Sequence, residues 1–131
     1  MPGKILLLGA NERASFSVAK NLSLRGYHVD IAHWGHHPLA ASRFVKEFHA
    51  LPAIESDLYA FFTAFIQLVK QTSYGLILPV NDIGVEFLLH YKAEIERYAM
   101  VGGINLPDTI RYSRNKYELW KLCREMGFKV P

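Results

Sequence analysis

One cysteine, Cys123, is all the chain carries among 131 residues, so no disulfide framework and no cysteine-built metal site can form. A reducing, cytoplasmic setting is the corresponding expectation. Long hydrophobic runs are also missing: residues 4–9 (KILLLG) are too short for a signal peptide or a membrane span. Charge of one sign is scarce, with 15 Lys and Arg against 12 Asp and Glu and a net charge of +3. With no basic block and no RNA-type aromatic motif, nucleic acid is not expected as a partner. Internal repeats and low-complexity segments are absent. What remains is 50% hydrophobic and 21% charged, a balance that supports one globular domain with a substantial core.

The order of apolar segments predicts alternating strands and helices. Ile5 to Leu8 is a continuous apolar run closed by Gly9-Ala10-Asn11, the pattern of a strand buried on both faces. A helix is expected over residues 13–25, with Ala14, Val18, Ala19 and Leu22 inward and Gly26 as its stop. Residues 28–34 form the next strand, completing a strand–helix–strand unit of ordinary βαβ length. Residues 35–43 read as a loop with a helical turn at Leu39-Ala40-Ala41, and residues 45–51 as a short strand. Ser56 or Asp57 then caps a helix whose Leu58, Phe61, Phe62, Phe65, Ile66 and Val69 recur at three and four residues. Such a stripe packs on a sheet.

Residues 75–79 give another buried strand, followed by a helix with Val85, Leu88, Leu89 and Ile95 inward. A weak strand over residues 100–104 contains Gly102-Gly103, and Pro107-Asp108 starts a short helix. Asn115 caps the last helix, whose apolar face is Leu119, Leu122, Cys123 and Met126; Cys123 is thus expected as a buried, inert thiol. The fold class is α/β: a Rossmann-like, doubly wound, mostly parallel sheet of about five strands flanked by helices.

In such a sheet, ligands bind beyond the carboxyl ends of the strands, where strand order reverses. Three loops qualify: residues 9–13, residues 34–37 and residues 80–82. The first offers Gly9, Asn11 and Arg13 as candidate substrate contacts. It lacks the three-glycine fingerprint of dinucleotide binding, with Asn11 and Ala14 at the later glycine positions. His33 and Trp34 stand where a ribose-binding acid belongs, and Asp30 lies in mid-strand. A nicotinamide cofactor is therefore not expected. His33, His36 and His37 have no acid or cysteine beside them in sequence and read as solvated loop histidines, not zinc ligands, while His28, His49 and His90 look structural. No metal site is expected. Asn81 and Asp82, with Glu86 one turn on, are the strongest substrate candidates, though Asn81 or Asp82 could equally serve only as a helix cap.

The phrases Leu78-Pro79-Val80-Asn81-Asp82 and Asn115-Lys116-Tyr117-Glu118-Leu119, the latter running into Gly127-Phe128-Lys129-Val130-Pro131, resemble the amino-terminal part of ATP-grasp ligases. The carbamoyl-phosphate-synthetase-like and carboxylate–amine ligase group is the nearest branch. Asn115 replaces the commoner aspartate, and Phe128-Lys129 the commoner Ile-Pro. The resemblance implies a pre-ATP-grasp domain over residues 1–113, then a helix and the start of a linker over residues 114–131 into an ATP-grasp domain. It implies activation of a carboxylate as an acyl phosphate by ATP and Mg²⁺, with an amine displacing phosphate. Lys116 would contact the nucleotide. Most ATP and Mg²⁺ ligands would lie beyond residue 131, so no cofactor is expected on these residues and no ligase turnover from them alone. Partners implied are small-molecule carboxylate and amine substrates, with no nucleic acid and no membrane; a homodimer is left open. A non-catalytic Rossmann-like binding module is the alternative.

Overall fold

The structure is a computed structural model, and it describes residues 3–103 and 115–130. Its centre is a sheet of five parallel strands: β1 (Lys4–Leu8), β2 (His28–Trp34), β3 (Glu47–Leu51), β4 (Leu76–Pro79) and β5 (Met100–Val101), in the order β3-β2-β1-β4-β5. Parallel neighbours require crossovers, and helices supply them. α1 (Ala14–Leu24) joins β1 to β2, α2 (Leu58–Gln71) joins β3 to β4, and α3 (Asp82–His90) with the short α4 (Lys92–Ile95) leads from β4 to β5. A 3₁₀ turn, Pro38–Ala41, sits between β2 and β3, and α5 (Lys116–Glu125) follows later. This is the α/β Rossmann-like architecture expected.

β1 shows why the run at residues 5–8 is apolar throughout. Leu6 and Leu8 face a core formed with Phe61, Phe65, Phe87 and Leu88, while Ile5 and Leu7 face a second core with Ala19, Val29 and Ile31. Alternate side chains of a strand point to opposite sides, so a strand with helices on both sides needs apolar residues at every position. The α2–α3 face carries most of the aromatic mass. Phe87 meets Phe61 edge-on with centroids 4.9 Å apart and Phe65 at 5.2 Å.

Helix phases depart from the sequence pattern in three places. On α1, Ser15 is buried and Ala14 exposed, because the Ser15 hydroxyl turns in to donate to the Gly9 carbonyl (3.4 Å). On α3, Gly84, Phe87 and Leu88 are buried, whereas Val85 and Leu89 are only half-buried. Ile95 is buried but belongs to α4, since the chain leaves helical geometry at Tyr91. The expected buried face of α5 is not buried: Leu119 is 41% and Met126 63% exposed, and Leu122 and Cys123 are half-buried. An amphipathic pattern names the face that could be covered, but burial needs a surface to cover it.

Smaller differences are local. Asp57, not Ser56, caps α2, accepting from Ala60 N–H at 2.9 Å. β3 starts at Glu47, because Val45 is held in a turn by its N–H bond to the Ser42 carbonyl. Gly102 and Gly103 follow β5 instead of lying inside it. The readings for Ile104, for Pro107-Asp108 and for the domain boundary at residues 113 and 114 lie outside the described residues. Among the described residues, no helix is long and apolar enough to cross a membrane.

Candidate functional site

From β1 the chain steps outward to β2 and β3, then returns to place β4 on the other side of β1. Strand order therefore reverses between β1 and β4, and in open parallel sheets ligands bind at such a point, outside the carboxyl ends of the strands. The loops leaving these two strands, residues 9–13 and 80–82, are two of the three singled out in the sequence, and Asp82 already opens α3. The crevice between them is the candidate site.

Gly9 and Asn81 meet across it. Gly9 has φ +102°, and a Cβ there would lie 2.6 Å from Asn81 Nδ2. Asn81 is held by its other end: its Oδ1 accepts from Gly84 N–H at 2.9 Å and caps α3. That bond fixes which end of the amide is which, so the NH₂ group faces Gly9. Gly84 lets this happen, since a Cβ on it would meet the Leu8 carbonyl at 3.0 Å. The start of α3 thus lies directly against the end of β1. Both readings of Asn81 stay compatible with this geometry, because a cap uses only the oxygen.

Asn11 does for α1 what Asn81 does for α3. Its Oδ1 accepts from Arg13 N–H (2.9 Å) and Ala14 N–H (2.8 Å). Those amides are the ones a phosphate would need at this helix start. Both amides are engaged by the Asn11 side chain, and Gly9 is the glycine at the turn. Arg13 is exposed at the head of α1.

The other candidates are placed more loosely. Asp82 opens α3 and is exposed. Glu86 lies one turn further and lines a different hollow, about 400 Å³ between α2 and α3, with Ile54, Glu55, Leu58, Phe87 and His90. Lys116 is the exposed first residue of α5, where Asn115 caps the helix by accepting from Tyr117 and Glu118 N–H.

Two histidines read as solvated are in fact acceptors for backbone. His33 lies at the end of β2 and its Nδ1 accepts from Ala10 N–H at 3.1 Å, tying the β1–α1 loop to β2; His37 Nδ1 caps the 3₁₀ turn through Leu39 N–H. Sequence could not show the first bond, which depends on β2 lying beside β1. Burial first, and the neighbouring His37 second, hold the His33 imidazole below its usual 6.5. The neutral form is therefore favoured by folding, and its contribution is complete above about 6.5 and declines as pH falls below it. Urea midpoints at pH 7.5 and 5 should fall further for the wild type than for His33→Phe. At neutral pH that variant should itself lose about 1–3 kcal/mol, since Ala10 N–H is left unpaired. Equal acid sensitivity in both proteins would exclude His33 as the source.

Five parallel strands flanked by helices, with strand order reversing beside β1, define a Rossmann-type α/β domain. Among solved structures, the chain is similar to "glycinamide-RNase-transformylase T from Mycobacterium tuberculosis", with a TM-score of 0.63 and 18% sequence identity. The match covers 95% of this chain and 35% of that one, so the chain spans about a third of that protein's length. No protein-family model matches the sequence, and a search of curated proteins finds no significant match.

Proposed function

We propose that this chain is the substrate-side front domain of an ATP-dependent carboxylate–amine ligase acting through an acyl phosphate. The observation that carries the reading is the crevice between β1 and β4. It is polar through Asn81 and closely approached at Gly9, yet the helix start that would hold a nucleotide is filled by Asn11. Such a crevice suits a small polar substrate and leaves the nucleotide to another part of the protein. The fold match to about a third of a transformylase supports a place as one domain of a larger enzyme. In this reading Gly9, Asn11, Arg13, Asn81 and Asp82 border the acceptor substrate, Glu86 lies at its periphery, and Lys116 reaches the nucleotide. ATP and Mg²⁺ supply phosphoryl activation in the complete ligase, with Lys116 as this chain's contribution to charge stabilisation. Residues 1–113 would form the front domain and residues 114–131 the passage to the ATP-binding lobe.

Asn81 provides the test. Asp caps a helix as well as Asn, so Asn81→Asp should keep stability within about 0.5 kcal/mol, while Asn81→Ala should lose about 1 kcal/mol. The carboxylate of the Asn81→Asp variant no longer offers an NH₂ donor over Gly9. ADP release by the full-length protein, with ATP, Mg²⁺ and a panel of small carboxylic acids and amines, should therefore fall about two- to tenfold in Asn81→Asp, the worth of one lost hydrogen bond. Unchanged turnover would make Asn81 a cap only. Tight binding of NADH but not ATP by the full-length protein would overturn the ligase reading; ATP-dependent ligation by residues 1–131 alone would overturn only the expectation that they are inactive without the ATP-binding lobe.

A further inference from the structure

Away from the crevice, the α2 face of the sheet carries a cluster of ionisable groups that the proposed ligase reading does not use. β2 and β3 pair with Asp30 beside Glu47 and Ala32 beside His49. Residues two apart on a strand share a face, so His28 and Asp30 on β2 and Glu47 and His49 on β3 project together. We propose that Asp30, Glu47 and His49 form a binding site for a divalent transition-metal ion of the zinc type.

Spacing carries the argument. His49 Nε2 lies 3.5 Å from Glu47 Oε2 and 3.9 Å from Asp30 Oδ2, and one ligand atom from each residue lies within 4.8 Å of the others. The first distance is at the limit of a hydrogen bond and the second is beyond it. His49 Nε2 is nevertheless buried and has no hydrogen-bond partner. Two ligands bonded at about 2.0–2.1 Å to a tetrahedral ion stand roughly 3.3 Å apart. His49 Nε2 is thus only loosely engaged by the two carboxylates, at separations close to those that one ion would impose. Glu47 is 65% exposed, so its side chain has room to complete the contraction.

Asp30 is built as a held ligand. Its side chain is 2% exposed; Oδ1 is 2.8 Å from His28 Nε2 and accepts from Glu47 N–H at 3.1 Å, and Oδ2 accepts from the Tyr74 hydroxyl at 2.6 Å. Partners of this kind orient carboxylate ligands in metal sites. Burial alone would raise the Asp30 carboxyl, but His49, Tyr74 and His28 outweigh it and hold the group below the usual carboxylate value. Tyr74 is pushed the other way, by burial and then by Asp30, and stays a donor. One imidazole and two carboxylates suit zinc and its neighbours better than Mg²⁺, which prefers oxygen alone. An ion here would pin the edge strand β3 to β2, a structural role.

The test is calorimetric titration of the EDTA-treated, tag-free protein with ZnCl₂, alongside thermal melting. One equivalent of Zn²⁺ should bind and raise the melting temperature. Affinity should fall at least about tenfold in Glu47→Gln and further in His49→Ala, as for loss of a ligand. His36→Ala should bind as the wild type does. In case His49→Ala fails to fold, the wild-type His49 ring nitrogen resonances give a second readout: Zn²⁺ should move them and leave those of His33 in place. No binding at millimolar Zn²⁺ overturns the proposal. Binding that survives Glu47→Gln and leaves the His49 resonances unmoved overturns it as well.

Discussion

Phe61→Ala is expected to lower the unfolding free energy by about 3–5 kcal/mol, the cost of emptying a fully buried aromatic site. Phe61 is wholly buried on α2. Its ring stacks near Phe65 (centroids 6.1 Å, planes 14° apart), meets Phe87 edge-on and lies 6.1 Å from Trp34. Truncation removes apolar area and leaves neighbours from α2, α3 and β2 around a cavity that none can fill without leaving its rotamer. Domains are stable by about 5–15 kcal/mol, so roughly a fifth or more of the total should go. Phe62→Ala, on the half-buried flank of the same helix, should cost clearly less. Urea unfolding of both variants checks this; a loss below about 1 kcal/mol for Phe61→Ala would mean that the aromatic cluster does not anchor α2.

Gly9→Ala is expected to cost on the order of 3 kcal/mol despite adding one methyl group. Two effects combine. A φ of +102° strains any residue with a Cβ, worth about 1–3 kcal/mol. The new Cβ would also lie 2.6 Å from Asn81 Nδ2 and 3.1 Å from a Val80 methyl, so the start of α3 must shift. The two can be separated by repeating the substitution in an Asn81→Ala background. Strain at residue 9 persists there and the main clash does not, so the cost should shrink by about 0.5–3 kcal/mol, the range for contacting residues. Strict additivity would show that Gly9 and Asn81 do not touch.

Much of this architecture was readable because the decisive features are local. The all-apolar run at residues 5–8 requires cover on both sides, and the stripe from Phe61 to Val69 requires a sheet beneath it. Helix phase was less readable. Ser15 displaces Ala14 from the interior for the sake of one hydrogen bond to Gly9, and Gly84 turns inward because β1 leaves no room for a side chain. Neither fact is a matter of hydrophobicity. The crevice loops followed from a general rule of open parallel sheets, but the contact between Gly9 and Asn81 depends on strand order. The cluster around Asp30 did leave a trace, His28-x-Asp30 and Glu47-x-His49, polar residues at strand period. Only the pairing of β2 with β3 turns those two fragments into one group.

The reversal of strand order has a consequence for how the chain assembles. β1 finds β2 after a single helix and turn, but it finds β4 only after β2, β3 and α2 have intervened. Contacts distant in sequence are the expensive ones to nucleate, because a long loop must close before pairing rewards it. The seam between β1 and β4 is therefore the joint of the sheet with the greatest entropic cost of closure, and the crevice lies on top of it. A ligand seated there would bridge both sides of that joint, acting as a clasp on the folded topology as well as a guest within it.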